Sequence, residues 1–276
     1  MHRLWFVTNV RSGTATHDKC EAIEAVFEER GLELGGRTRF PDDDLPTPEE
    51  LAAARIDTLV LFAGDGTINA ALCQLSDWTG AFLILPGGTM NLLAKALHDS
   101  LDPHAIIAAA HHGGGRAALP FMEAGPYRAF VGLIVGPGAT WVRPREAVRH
   151  HRIGRAARAV RLAWRRTFGR GVRIEGVPRF RRRYQAIFVR PEIDHLYVAG
   201  VDARDWRSIV ELGWSAVTGD WMAARAVDTA SASRLRIAEL QPVLALFDGE
   251  PQMIESGTII TPGRSREVFV TTKADR

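Results

Sequence analysis

Cysteine is scarce in this chain: Cys20 and Cys73 are the only two in 276 residues. That is too few for a disulfide framework and the pair shows no metal-ligand spacing, so a reducing compartment is expected. Long apolar runs are missing too. No stretch reaches the roughly 18 residues of a membrane-spanning helix, and the apolar run in MHRLWFVTNVRSG is too short for a signal peptide. These absences point to a soluble, cytoplasmic protein. Apolar content is nevertheless 46% against 24% charged, which excludes a disordered chain. The length suits two domains, or one large α/β domain with an appendage.

Acidic residues are depleted in one segment. From Arg143 to Arg183 fifteen Arg face two Glu, Glu146 and Glu175, so the segment carries +13; the net charge of +3 leaves -10 for the rest. Within it, Ile153, Ala157, Val160, Trp164 and Phe168 share one helical face and Arg155, Arg158, Arg161, Arg165 and Arg166 occupy the remainder. A basic amphipathic helix with Trp at its apolar edge suits an anionic membrane surface. It equally suits a helix packed on its own domain with its Arg side chains solvated. No nucleic-acid-binding module is present, so that partner ranks well below.

What the chain does have is a repeated local pattern. Residues 4–8, LWFVT, read as a strand, followed by Asn9-Val10-Arg11-Ser12-Gly13 and a helix carrying Ile23, Val26 and Phe27. Thr47-Pro48-Glu49-Glu50 fits a helix start with Pro in the first turn. Residues 58–62 read as a strand, then Gly64-Asp65-Gly66-Thr67 and a helix to Leu75; residues 81–85 read as a strand, then Pro86-Gly87-Gly88-Thr89 and a helix over 91–97. Three strand, glycine-loop, helix units in under about a hundred residues imply a parallel α/β sheet. Ligands collect beyond the carboxyl ends of such strands, where all three loops fall.

Past Gly113-Gly114-Gly115 the texture changes. Short apolar runs at 129–135, 185–190, 195–201, 243–247, 258–260 and 267–271 alternate with turns, and suggest a mainly antiparallel second domain with helical insertions near 152–168 and 205–217. The domains expected are 1–119 and 120–276, the last residues, about 263–276, being candidates to return to the first. Exposed strand edges in the second domain make a homodimer a further expectation.

A glycine-rich turn leading into a helix gathers unpaired N–H groups and the positive end of the helix dipole, which favours phosphate. Asp65 beside bare phosphate would repel it. It makes sense if Mg²⁺ accompanies the phosphates, or if the carboxylate binds a hydroxyl. The Walker pattern, the protein-kinase catalytic loop and a complete G-x-G-x-x-G are all absent.

Taken together, NVRSG (Asn9–Gly13), AGDGTIN (Ala63–Asn69), PGGTMN (Pro86–Asn91) and FDGEP (Phe247–Pro251) resemble, in order and over about 240 residues, the diacylglycerol kinase catalytic-domain family of bacterial lipid kinases. The resemblance implies an α/β nucleotide domain, a β-rich domain and an active site in the cleft between them. It implies an ATP- and Mg²⁺-dependent kinase acting on a lipid hydroxyl such as that of diacylglycerol, reached at the inner face of the membrane. It assigns Asn9, Ser12, Gly13, Gly64, Asp65, Gly66, Thr67, Asn69, Gly88, Thr89 and Asn91 to ATP and its metal, with Thr38 as a looser match, and makes Glu250 the base. Asp194, within PEIDHLYVAG, echoes a family turn that contributes to a second metal site. Departures are Ala63 for Gly, Val10 for Pro, and Leu92 for a common acidic residue. Alternatives are a soluble kinase resembling NAD kinases, and a nucleotide sensor that keeps the fold without turnover.

From the residues alone, Asp248-Gly249-Glu250 follows the apolar run Val243–Phe247 and so sits at a strand end, where a turn can project a carboxylate. A surface type I′ turn with a solvated Glu reads the same. His111-His112 and His150-His151 are poorly spaced for one metal site and read as surface residues; Asp220 and Asp228 carry no assigned role.

Overall fold

A computed structural model of the chain describes residues 1–136, 171–201 and 227–273. The helices expected near 152–168 and 205–217, most of the Arg-rich segment, His150-His151 and Asp220 lie outside these residues. Two compact units are present: Met1–Pro120 with Arg264–Arg276, and Phe121–Gly263.

The first unit runs β1 (Arg3–Thr8), α1 (His17–Glu29), β2 (Glu33–Arg39), α2 (Pro48–Ala53), β3 (Thr58–Ala63), α3 (Asp65–Gln74), β4 (Ala81–Pro86), α4 (Leu92–Leu97), α5 (Pro103–Gly113) and β5 (Gly115–Ala117). β3 and β4 are buried at every position because both faces of a central parallel strand are covered, which is why TLVLFA and AFLILP show no alternation. Helix starts follow their capping chemistry: Thr16 caps α1, Thr47 and Glu50 form a capping box on α2 with Pro48 in its first turn, and Asp102 caps α5 ahead of Pro103. Ile23 and Phe27 of α1 and Ile106, Ile107 and Ala110 of α5 pack with Phe6, Phe62 and Leu85 into one core. Each of the Ile, Leu and Phe side chains removed from water contributes about 1.5–3 kcal/mol.

The sheet order is β2-β1-β3-β4, then the strand Val268–Thr271, then β5; all neighbours are parallel except the last pair. Because β1 lies between β2 and β3, the chain leaves it first to one side and then to the other. That reversal opens a crevice at the carboxyl ends of β1 and β3. His98 ends α4, buried at 3% exposure: its Nε2 donates to the Ile84 carbonyl at 3.0 Å and its Nδ1 accepts from Thr272 Oγ1 at 3.0 Å.

The second unit contains β6 (Pro120–Ala124), β7 (Tyr127–Ala129), β8 (Leu133–Val135), β9 (Ile174–Glu175), β10 (Ala186–Pro191), β11 (Leu196–Val201), β12 (Val227–Ala232), β13 (Leu235–Ile237), β14 (Val243–Phe247), β15 (Glu250–Ile254) and β16 (Ile259–Arg264). They form two sheets, β12-β11-β10-β8-β14-β15 and β7-β6-β16-β13-β9. Met122, Ile174, Leu235 and Ile260 from one and Leu133, Val189, Val198 and Phe247 from the other share a single core. The architecture is thus mixed α/β: a parallel sheet with helices first, antiparallel β sheets second.

Candidate active site

The loops after β1, β3 and β4 are built into one another. Asn9 Nδ2 donates to Thr67 Oγ1 at 2.8 Å, while Asn9 Oδ1 accepts from the Arg11 N–H at 2.9 Å. Ser12 Oγ donates to the Asn9 carbonyl at 2.6 Å and accepts from the Gly64 N–H at 3.0 Å. The N–H groups of Thr14 and Ala15 both donate to the Gly87 carbonyl. Asn91, held at φ 52°, accepts the Gly88 N–H on Oδ1 at 2.8 Å.

Glycine is required where the loops touch. A Cβ on Gly88 would stand 2.7 Å from Gly64 Cα, and one on Gly13, at φ +60°, 3.0 Å from the Gly88 carbonyl carbon and the Thr89 nitrogen. The loops therefore form a single backbone-lined surface around the start of α3. That helix is capped by Gly64 with no side-chain hydrogen bond, so its first-turn N–H groups are left to an external acceptor. Thr67 Oγ1 already accepts from Asn9, leaving its proton to donate. A cavity of about 340 Å³ adjoins the loops, lined by Thr14, Pro86 and Asn91 together with Ile23, Phe62 and Pro103. That volume suits a small ligand.

Asp65 is the first residue of α3 and only 9% exposed. Its Oδ1 accepts the Leu92 N–H at 2.9 Å, tying α3 to the start of α4. Burial pushes its carboxyl above the usual aspartate range, and the N–H groups of Leu93, Leu92 and Asn91, with the nearby Lys95 charge, offset only part of that. A carboxylate so desolvated at a phosphate-favouring helix start gains most from a cation. The glycine cradle, the uncapped helix and this carboxylate fit a phosphate chain carrying Mg²⁺.

The remaining sequence-expected residues are less uniform. Gly66 lies in the first turn of α3, and Asn69 in its second, where Cys73 Sγ approaches Asn69 Oδ1 at 3.4 Å. Thr89 is exposed on the loop after β4. The Ser12 hydroxyl is taken up by the loops themselves, and so is its backbone, whose N–H donates to the Asn9 carbonyl at 3.0 Å and whose carbonyl accepts the Ala15 N–H at 3.3 Å. Thr38 stands apart from the cluster: it is 2% exposed on β2, and its hydroxyl accepts Trp5 Nε1–H at 3.0 Å. Asp194 is exposed in the turn between β10 and β11, and among the described residues no group of three or more His, Cys, Asp or Glu is placed to hold a metal ion.

In the second unit Asp248 and Gly249 form the two-residue connection of the β14–β15 hairpin, with Phe247 paired to Glu250. Their φ values of 47° and 93° are those of a type I′ turn. Glu250 is exposed at the head of β15, while Asp248 is 5% exposed and accepts the N–H groups of Phe130, Val131 and Gly132 at 2.7, 2.8 and 2.8 Å. Sequence reasoning missed this role: the turn was legible, its partners more than a hundred residues away were not. Asp228 is also structural, accepting from Tyr184 Oη at 2.7 Å and from Arg182 at 2.6 Å. His111 and His112 are exposed on the last turn of α5.

Residues 3–118 match the family described as the diacylglycerol kinase catalytic domain. Those residues, 116 of the 276, are similar to that family, and they lie within the first unit. All three glycine loops fall inside the matched segment. No curated protein matches the chain. Among solved structures, a diacylglycerol kinase from Bacillus anthracis str. Sterne is 12% identical, with a TM-score of 0.68, covering 98% of this chain and 97% of that one. A second structure from that organism is 13% identical with a TM-score of 0.69 over the same shares. At such identity the likeness shows the fold, and it extends through both units.

Proposed function

We propose that the protein is an ATP- and Mg²⁺-dependent kinase that transfers the γ-phosphate to a lipid hydroxyl, diacylglycerol being the first acceptor to test. The observation that carries this reading is the junction of the three glycine loops around the uncapped start of α3, beside a buried carboxylate. Phosphoryl transfer asks for positioned donors and charge neutralisation more than for covalent chemistry, and these loops supply the donors.

The backbone N–H groups of Gly66 and Thr67, with the Thr67 hydroxyl, would orient the phosphates. Gly13, Gly64 and Gly88 let the backbone come close. Asp65 would hold Mg²⁺, whose charge, when bound, neutralises the phosphate oxygens. Glu250 takes the proton from the acceptor hydroxyl on a carboxylate oxygen; its place at a strand end, exposed, suits that role. The anionic membrane surface remains the partner proposed for the Arg-rich segment. In its described part, Arg182 and Arg183 are paired with Asp228 and Glu239. No helix among the described residues is long and apolar enough to cross a membrane.

The test is ATP consumption with Mg²⁺ against diacylglycerol, monoacylglycerol, a sphingoid base and ceramide in mixed micelles, with NAD as soluble control. Lipid-dependent turnover that vanishes in Glu250→Gln, with ATP affinity largely kept, is expected. Turnover on NAD alone overturns the lipid assignment, and ATP binding without turnover on any acceptor overturns the kinase reading.

A further inference from the structure

We infer that Asp248 is a positioning residue, whose carboxylate fixes the hairpin tip that presents Glu250. The inference rests on the reading of Glu250 as the base. An aspartate before glycine in a two-residue hairpin needs no special explanation, because both positions require φ > 0 and Asp tolerates it. In an ordinary hairpin, however, that side chain points to water. Here it is 5% exposed and turned into the fold.

Its contacts with the segment before β8 are reciprocal. Oδ2 accepts from the Phe130 N–H and Oδ1 from those of Val131 and Gly132, while the Asp248 N–H donates back to the Gly132 carbonyl at 2.9 Å. The next step of the ladder pairs Phe247 with Leu133. Three consecutive N–H groups are thus gathered on one carboxylate, and each of its oxygens accepts at least one of them. A buried carboxylate with fewer donors would be costly, so the tip has one arrangement rather than several.

Glu250 depends on that arrangement more than a central-strand residue would. Among the described residues β15 is the edge strand of its sheet and pairs with β14 alone. Glu250 is its first residue, two positions from the anchored aspartate, so the tip is what holds its backbone. Misplacing a reacting group by about 1 Å can cost two orders of magnitude in rate. Asp248 acts through Glu250 and is assigned no contact with substrate.

Asn at 248 separates the anchor from the turn. It tolerates φ > 0 and matches Asp in size, but its amide nitrogen would face an N–H that needs an acceptor. Asp248→Asn is therefore expected to keep KM for ATP within about twofold while kcat on dioctanoylglycerol in mixed micelles falls about tenfold or more. In the Glu250→Gln background, read as residual labelled lipid product, the same change should cost nothing further. A folded Asp248→Asn with unchanged kcat overturns the inference, as does an equal loss in the Glu250→Gln background, which would mean that Asp248 acts separately. If Glu250→Gln itself retains full turnover, the base assignment falls first and the positioning role with it. Melting curves accompany each variant. Should Asp248→Asn not fold, Asp248→Glu, which keeps the charge one methylene further out, carries the test: a kcat-only loss supports the inference and unchanged kcat overturns it.

Discussion

The Asn9 side-chain amide donates to the Thr67 hydroxyl at 2.8 Å, and this bond joins the loop after β1 to the first turn of α3. It spans the two strands whose divergent connections open the crevice of the sheet. It also leaves the Thr67 proton free to point outward. Removing it should therefore be felt by a ligand more than by the fold.

Asn9→Ala is expected to raise KM for ATP about tenfold and to lower stability by about 1–2 kcal/mol, the net worth of the two side-chain hydrogen bonds it removes, to Thr67 and from the Arg11 N–H. Steady-state kinetics and urea melts measure the two effects on one sample. A stability loss with unchanged KM would mean that the bond serves folding alone.

Gly88→Ala tests the loop junction. The new methyl would meet Gly64 Cα at 2.7 Å, backbone against backbone, so neither side can yield by rotating a side chain. A cost of about 1–3 kcal/mol and loss of nucleotide binding are expected. Chemical denaturation and nucleotide titration decide it.

Asp65→Asn should separate stability from binding. The folded protein holds the Asp65 carboxyl above its ordinary value, so it binds the proton more tightly than the unfolded chain does. Stability therefore falls as pH rises through that raised value, and at neutral pH the charge is a burden on the fold. The variant is expected to melt higher at pH 7 and to bind Mg²⁺-ATP less tightly. A lower melting point would show that the hydrogen bonds to α4 outweigh the burial.

His98 gives the opposite pH dependence. Burial lowers its pKa from 6.5 to about 4, the bond to the Ile84 carbonyl offsetting only part of this. The unfolded chain takes up the proton first, so stability present above about pH 6.5 is lost as pH falls toward 4. A shift of that size amounts to about 3 kcal/mol. Equilibrium unfolding of the wild type against His98→Gln should converge as pH falls; parallel curves would rule out His98 as the titrating group.

Much of this was legible in advance. β3 and β4 announced themselves as uninterrupted apolar runs, and the helix starts by Thr47-Pro48 and the glycine loops. β2 did not, because Glu33–Arg39 reads ELGGRTR, with no alternation. Its packing comes from a neighbour: the Trp5 ring occupies the space where a Gly36 Cβ would be, 2.3 Å away. α5 carried its signals, Asp102 and Pro103, but fell outside the strand-loop-helix repeat that organised the reading. At the site, residue types were readable and hydrogen-bond commitments were not. Ser12 and Asp248 look like ligand-facing groups in a motif, yet each spends its side chain on backbone brought close only by the fold.

The strand Val268–Thr271 pairs with β4 on one side and β5 on the other, so the first sheet closes only with residues that follow the whole second unit in the chain. During synthesis the β4 edge must wait, bare, while more than a hundred and fifty intervening residues emerge. A nascent chain stopped before Val268 holds every glycine loop and an unfinished sheet. The half of this protein that carries the glycine loops is thus the first to be made and the last to be completed.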